Sequence, residues 1–396
     1  MATKRSSKPQ FSILLILVSF ASVGAVLFTP ALPSIQEFFD ISVGKAQLTV
    51  TTYLIGYAFA QLPYGPIANR YGRKPALYLG ISLAIIGSLL CALSAPAHSF
   101  GLLLFGRIIQ ALGASVGLKV SFTMIADAFD QTAATKTISK LLLSFAVMPS
   151  LAIGIGGWLT QRFEWQSCFY FLVFFSFASL FLVARLPETA PSLDPQALRL
   201  PSIIAAYRAK LSNARLVTSG LIMGCGTAVI YIFASKAPFI GIKLIGLNPE
   251  QFGLYNFIPL IGMVSGSLLG SRLAGRFSLI NLLGGGIIGT LIATMTMLVP
   301  FATGLVTTWT LFVPMVLIYI AESVIYAHIS SFALTGAKNK SNASAVLNWI
   351  NMSVAVIAVL LAEFIYPEDA LIMPVSFAFF FLVMLLLWFR LRKLAA

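Results

Sequence analysis

The chain has 396 residues, of which 59% are apolar and 10% charged, and a mean hydropathy of +0.94. A water-soluble domain carries about 25% charged residues, so a soluble protein is excluded. The formal charge of +14 does not point to nucleic acid either: such binding needs basic residues gathered on one solvated face, and here they lie in short clusters between long apolar runs.

Lys4, Arg5 and Lys8 precede an apolar run from Phe11. The run continues for about twenty residues to Pro30, beyond the roughly 7 to 15 of a secretory signal, and no small-residue cleavage site follows it. It is read as a first spanning helix. A bilayer core of about 30 Å needs roughly 20 apolar residues in a helix. Twelve such runs follow in order: Phe11 to Leu32, Gln47 to Ile67, Pro75 to Ala95, Gly101 to Ala126, Ile138 to Thr160, Ser167 to Leu186, Leu216 to Ile240, Gln251 to Leu273, Ile280 to Phe301, Trp309 to Phe332, Ser344 to Tyr366 and Ala370 to Phe389.

Short loops retain Lys and Arg on the cytoplasmic side. With the N-terminus placed inside, Lys45, Arg162 and Lys243 are the loop lysines and arginines that fall outside, and the others fall inside. Both termini are therefore expected in the cytoplasm. The longest connection, 187–214, carries Pro191, Pro195 and Pro201 and reads as a linker between two six-helix halves, 1–186 and 215–396. A Gly-rich, Arg-bearing stretch occurs in the second cytoplasmic loop of each half, Gly65 to Arg73 and Gly266 to Arg276, the kind of internal repeat that transporters carry. Cys91, Cys168 and Cys225 lie inside apolar runs without metal-ligand spacing, so neither a disulfide framework nor a metal site is expected.

The stretch Gly65-Pro66-Ile67-Ala68-Asn69-Arg70-Tyr71-Gly72-Arg73-Lys74 is expected to form a tight cytoplasmic turn between the second and third spans. It resembles the loop signature of the major facilitator superfamily. Further stretches are similar to its Bcr/CflA-type drug:proton antiporters: Pro30-Ala31-Leu32-Pro33, Gln61-Leu62, Arg107 with Gln110 and Gly113, Pro149 with Gly156-Gly157, Trp165, and Leu186-Pro187-Glu188-Thr189. The resemblance is dense in the N-terminal half and rests mainly on helix number in the C-terminal half. It implies an all-α integral membrane protein with twelve transmembrane helices in two six-helix bundles. It also implies a conformational latch of Gly65, Asn69, Arg70, Gly72, Arg73 and Asp127, in which Arg73 pairs with Asp127, and a helix-packing seam at Pro149, Gly156 and Gly157. Asn69 stands where the family has an Asp that faces a C-half helix, Ile153 where a second proline is usual, and Val26 where this branch has an acid in the first span.

Charges at bilayer depth are costly and tend to mark function. Arg107, Lys119, Lys236 and Glu322 are the candidates. Lys119 and Lys236 sit toward the ends of their spans, where a long side chain can also snorkel to water. Arg107 shares a helix face with Gln110 and can equally hold neighbouring carbonyls. A carboxyl in the middle of the tenth span, Glu322, suits a proton carrier; silent pairing with a Lys is the competing explanation. The excess of cationic groups favours an anionic or zwitterionic ligand instead. Tyr53, Tyr57 and Gln61 recur on one face of the second span, and Asn348 and Asn351 on one face of the eleventh; interhelical hydrogen bonds or ligand contact both account for such stripes.

No GxxxxGK[ST] phosphate loop occurs, and no paired Asp, His-rich set or Ser/His arrangement lies at a common membrane depth, so an enzyme is not expected. The expectation is a secondary transporter working by alternating access: proton-coupled efflux of drugs or amphiphiles, or movement of an anionic or zwitterionic metabolite or chelator. The expected partners are a small-molecule substrate, protons and the lipid bilayer, with no cofactor and no nucleic acid. The chain is expected as a monomer in a plasma membrane of the bacterial inner-membrane kind.

Overall fold

The computed structural model describes residues 8–335, 340–365 and 368–395, with the side chains of 131, 132, 135, 139, 142–146, 340, 341 and 395 set aside. Lys4, Arg5 and the Tyr366 end of the eleventh span lie outside these residues. Twelve helical rods run in sequence: α1 (Phe11–Phe38), α2 (Val43–Ala60, continued as Tyr64–Tyr71), α3 (Arg73–Leu93), α4 (Phe100–Ala128), α5 (Gln131–Phe163), α6 (Gln166–Ala184), α7 (Ala214–Leu244), α8 (Pro249–Leu273), α9 (Leu279–Ala302), α10 (Thr308–Leu334), α11 (Lys340–Phe364) and α12 (Ile372–Ala395). Among the described residues, ten of them are long and apolar enough to cross a bilayer on that ground alone. α2 is not among the ten, because Lys45, Gln47, Thr49, Thr51 and Thr52 dilute its apolar character. α5 runs for 33 residues, longer than the span read from the sequence.

Local chemistry sets where the rods begin. Ser42, Ser99, Asp130, Asn213, Ser278 and Thr307 stand just before α2, α4, α5, α7, α9 and α10, and each accepts a hydrogen bond from a backbone N–H three residues on. Such caps satisfy donors that the first turn leaves without partners. Asn248 and Gln251 form a reciprocal capping box at the start of α8.

Prolines interrupt rods that the hydropathy presents as continuous. The α-helical part of α1 ends at Val26, passes through a 3-10 turn at Thr29–Ala31 and resumes to Phe38. Pro30 has no N–H to offer the preceding turn, and the Thr29 hydroxyl supplies Val26 O with a donor at 2.8 Å. α2 breaks at 61–63 beside Pro63, and α8 breaks at Asn256, three residues before Pro259. The signature stretch is helical over most of its length, which corrects the tight turn expected from its glycines. It is helical to Tyr71, and the turn is confined to Gly72, whose φ of 104° suits a residue without Cβ.

The packing repeats with an offset of six rods. α3 lies on α4 as α9 lies on α10, α2 on α4 as α8 on α10, α1 on α5 as α7 on α11, and α3 on α6 as α9 on α12. The two halves meet along α2 with α11 and α5 with α8, with α1 touching α7 and α8. Phe174, Phe181, Ile292 and Leu386 face outward, as side chains in contact with lipid tails would. Residues 187–214 are not irregular throughout: a linker helix spans Leu200–Leu211 and packs on α11.

Candidate functional site

Arg107 of α4 is fully buried at the centre of the N-terminal half. Its Nε donates to Thr49 O at 3.0 Å and its Nη1 to Gly24 O at 2.8 Å, with further bonds to Ala25 O and the Gln110 amide oxygen. Phe28 and Tyr53 lie over the guanidinium at 4.1 and 4.2 Å. The carbonyls of Gly24 and Ala25 are those the interrupted end of α1 leaves partly unpaired, so the arginine holds the break together. Gln110 Nε2 then donates to Ser88 Oγ at 2.7 Å, tying in α3.

Lys119 is similarly engaged. Its ammonium donates to Gln61 O at 2.6 Å, the carbonyl at the break in α2. Lys236 is 2% exposed, which corrects the expectation that it could snorkel to water. It lies on α7 within electrostatic range of Glu363 of α11 and of Asp369.

Glu363 is a functional candidate that the sequence reading passed over. It stands inside the eleventh apolar run, three residues before its end at Tyr366, and a charge within an apolar run is the signal the sequence carries. Its side chain is buried, and Thr51 Oγ1 of α2 donates to its Oε1 at 2.5 Å. Gln47 Nε2 of the same helix donates to Ser235 O of α7 at 3.4 Å. These cross-half bonds occupy the end of the molecule opposite the linker. At that end Lys243 pairs with Glu37 at 3.0 Å and Arg162 approaches Glu250 at 3.9 Å. α5 and α8 also close tightly there. A Cβ on Gly157 would stand 2.3 Å from Pro249 O of α8, and one on Gly156 would stand 1.6 Å from Leu27 O of α1. Pro149 lies within α5 on the linker side of this pair.

Between the halves lies a cluster of tyrosines and amides. Tyr53 and Tyr57 stack at 6.5 Å on α2. Tyr57 is within electrostatic range of Gln61 one turn on and of Tyr326 of α10, and Tyr231 of α7 faces Tyr57, Tyr326 and Arg107. Tyr326 accepts from Asn351 Nδ2 at 3.1 Å. It remains 41% exposed although helices of both halves surround it, so it lines an interior cleft. Asn348, half-buried, lies three residues before Asn351. Tyr231 and Tyr326 carry no sequence signal of their own, because each is one of several aromatics in an apolar run and none is marked out by a motif.

Glu322 lies one turn before Tyr326. It is 7% exposed, and neither carboxylate oxygen has a hydrogen-bond partner among the described residues. It faces Gly226 of α7, with Tyr319 and Tyr326 nearby. His328, on the same helix, is engaged with Val324 O at 2.7 Å.

At the linker end, Arg73 Nε meets Asp127 Oδ2 at 2.9 Å, while Arg73 Nη1 donates to Ala68 O and Asn69 Oδ1, both at 2.8 Å. Asn69 is thus part of the Arg73 network. Arg70 is bonded to Pro195 O of the linker, and a Cβ on Gly65 would meet the Lys119 side chain at 3.3 Å. Glu188 reaches back from the linker to accept from the backbone N–H groups of Arg73 and Lys74 at 3.0 Å, capping α3. Burial would raise the pKa of its carboxyl, but four backbone N–H bonds outweigh that and hold it below the ordinary value.

Two six-rod halves around a buried polar cleft, with outward faces suited to lipid, define a membrane carrier. The sequence profile of the Major Facilitator Superfamily matches residues 14–362, and the chain belongs to that family. It is 27% identical over 323 residues to multidrug resistance protein D of Escherichia coli, covering 81% of this chain and 80% of that one. It is 26% identical over 258 residues to a bicyclomycin resistance protein homolog of Haemophilus influenzae, covering 65% and 64%. The D-xylose-proton symporter superposes with a TM-score of 0.74 at 14% identity, over 94% of this chain and 96% of that one, a likeness of fold. The family consists of transporters, so the protein is not an enzyme.

Proposed function

We propose that the chain is a proton-driven exporter of small amphiphilic, drug-like compounds. It would work by alternating access between the halves 1–186 and 215–396, joined by the linker 187–214. Both termini would be cytoplasmic in a bacterial inner membrane, and the chain would act as a monomer. The observation that carries the reading is Glu322, a buried carboxyl facing Gly226 of α7, with no hydrogen-bond partner on either oxygen among the described residues. An ionised carboxylate in that setting is costly. A proton relieves the cost in one conformation, and water or substrate can relieve it in the other, which couples proton movement to the exchange of states. Tyr326, one turn from it, and the Tyr57, Tyr231 and Asn351 grouped around Tyr326 offer flat apolar surface with a few polar handles, suited to amphiphiles.

The alternative of an anionic substrate drew on Arg107, Lys119 and Lys236. Arg107 and Lys119 now have carbonyl partners and Lys236 lies near Glu363, which leaves less free positive charge for an anion. The names of the two curated relatives, both resistance proteins, favour export.

The test is transport in proteoliposomes under an imposed proton gradient, across a panel of lipophilic cations, neutral drugs and polycarboxylates. Glu322→Gln should abolish gradient-driven movement while a bound compound still raises thermal stability. Active transport by that variant, or indifference of the wild type to the gradient, would overturn the coupling. Stabilisation confined to polycarboxylates would transfer the assignment to the anionic reading.

A further inference from the structure

The linker helix Leu200–Leu211 has three distinct faces. Residues in a helix are about 100° apart, so Leu200, Ile204 and Leu211 fall within about 40° of one another. They form an apolar stripe that is 68%, 62% and 43% exposed. Ser202, Ala205 and Ala209 make a second exposed face, small and weakly polar. Ile203, Ala206, Tyr207 and Lys210 make the third, partly buried, and from it the Tyr207 hydroxyl donates to Leu62 O of α2 at 2.9 Å. A connection lying free in water has no reason to keep such a stripe uncovered. Tyr207 anchors the helix where α2 breaks, and α7 starts at Ala214, three residues beyond its end, so the helix lies level with the ends of membrane-spanning rods.

Charge identifies what covers the stripe. Arg199 at the N-cap and Arg208, on the boundary between the apolar and small-residue faces, are both exposed. No acidic residue occurs from Arg199 to Arg215. We infer that the linker helix lies in the bilayer surface, with Leu200, Ile204 and Leu211 among the acyl chains and Arg199 and Arg208 on the phosphates of anionic lipids. Helices of this kind bind by buried apolar area together with attraction to anionic headgroups. The linker is then a second membrane contact of the carrier, separate from its spanning rods, and it ties the N-terminal half to lipid through Leu62.

The experiment uses the full chain in vesicles of phosphatidylcholine, or of phosphatidylcholine mixed equally with phosphatidylglycerol. A single fluorophore is attached at Ile204→Cys or Ala209→Cys after Cys91, Cys168 and Cys225 are replaced. The 204 label should be quenched by brominated acyl chains and protected from iodide, and the 209 label should show the reverse. In Arg199→Gln/Arg208→Gln, energy transfer from the 204 label to a headgroup-labelled phosphatidylglycerol should fall roughly two- to five-fold, and the wild-type excess over phosphatidylcholine should shrink with added salt. Equal iodide quenching at 204 and 209 would overturn the proposal. So would a 204 label shielded from both quenchers, which would mean that a second copy of the chain covers the stripe, or an unchanged lipid preference in the double variant.

Discussion

Thr51 donates a hydrogen bond to Glu363 at 2.5 Å across the boundary between the two halves. It is a buried contact that must break whenever that end of the molecule opens. A hydrogen bond of this kind contributes about 0.5–1.5 kcal/mol net. Thr51→Val should therefore raise the open population at that end by roughly two- to ten-fold. The modification rate of a cysteine at Gln47, tested with a membrane-impermeant thiol reagent, reads this directly. An unchanged rate would mean that the α5–α8 seam and the Lys243–Glu37 and Arg162–Glu250 pairs keep the end closed without Thr51.

Arg107 has the geometry of a clamp. Arg107→Met leaves the carbonyls of Gly24, Ala25 and Thr49 short of donors at about 1–3 kcal/mol for each buried group. Arg107→Lys keeps the charge but loses the planar fork that reaches several acceptors at once. Both variants should unfold at lower temperature in detergent, with the methionine variant binding compounds normally where it survives purification. A stable methionine variant that has lost only proton coupling would move Arg107 from support to mechanism.

The adjacent glycines should respond differently to a single methyl group. At Gly156 the added Cβ meets Leu27 O within the N-terminal half, so Gly156→Ala should reduce stability and yield by about 1–3 kcal/mol or more. At Gly157 it meets Pro249 O of the other half, a contact that the proposed alternating access would relieve. Gly157→Ala should fold and instead favour the state open at that end. Spin-label distances between α5 and α8 together with melting temperatures separate the two outcomes.

Glu188 links stability to acidity at the linker end. Its folded pKa lies below the ordinary glutamate value of 4.5, so its contribution is in place above that value and is lost as the pH falls through the folded one. Capping of this kind contributes about 0.5–2 kcal/mol, at the low end here because the side chain is well exposed. Glu188→Gln should lower thermal stability slightly at neutral pH and flatten its decline on acidification. Equal acid sensitivity in wild type and variant would assign that decline to other carboxylates.

Much of the architecture was legible because crossing a bilayer imposes long apolar runs, and these can be counted without knowing how they pack. The interruptions were less legible. Pro30, Pro63 and Pro259 are visible in the chain, but whether a proline ends a rod or bends it depends on which donors repair the freed carbonyls. Those donors are Thr29 within α1 and, from other helices, Arg107 and Lys119. The site divided in the same way. Glu322 could be named from its depth alone, whereas Tyr231 and Tyr326 become neighbours of Tyr57 when the halves face each other. Glu363 was in view and was passed over, because depth within a run does not reveal a partner on another helix.

Composition and short motifs were enough to establish the solvent in which this protein folds, the number of its crossings, the pairing of Arg73 with Asp127 through the resemblance, and the carboxyl in the middle of the tenth span. Only the tertiary structure decided which buried charges are spoken for. Arg107 and Lys119 resemble free cationic ligands until the carbonyls of distant breaks are placed against them, and Glu322 stands apart only once no hydrogen-bond partner for it is found among the described residues. The reason is physical: at low dielectric the meaning of a charge is set by the groups within a few ångströms of it, and in a two-bundle fold those groups come from helices far apart in the chain.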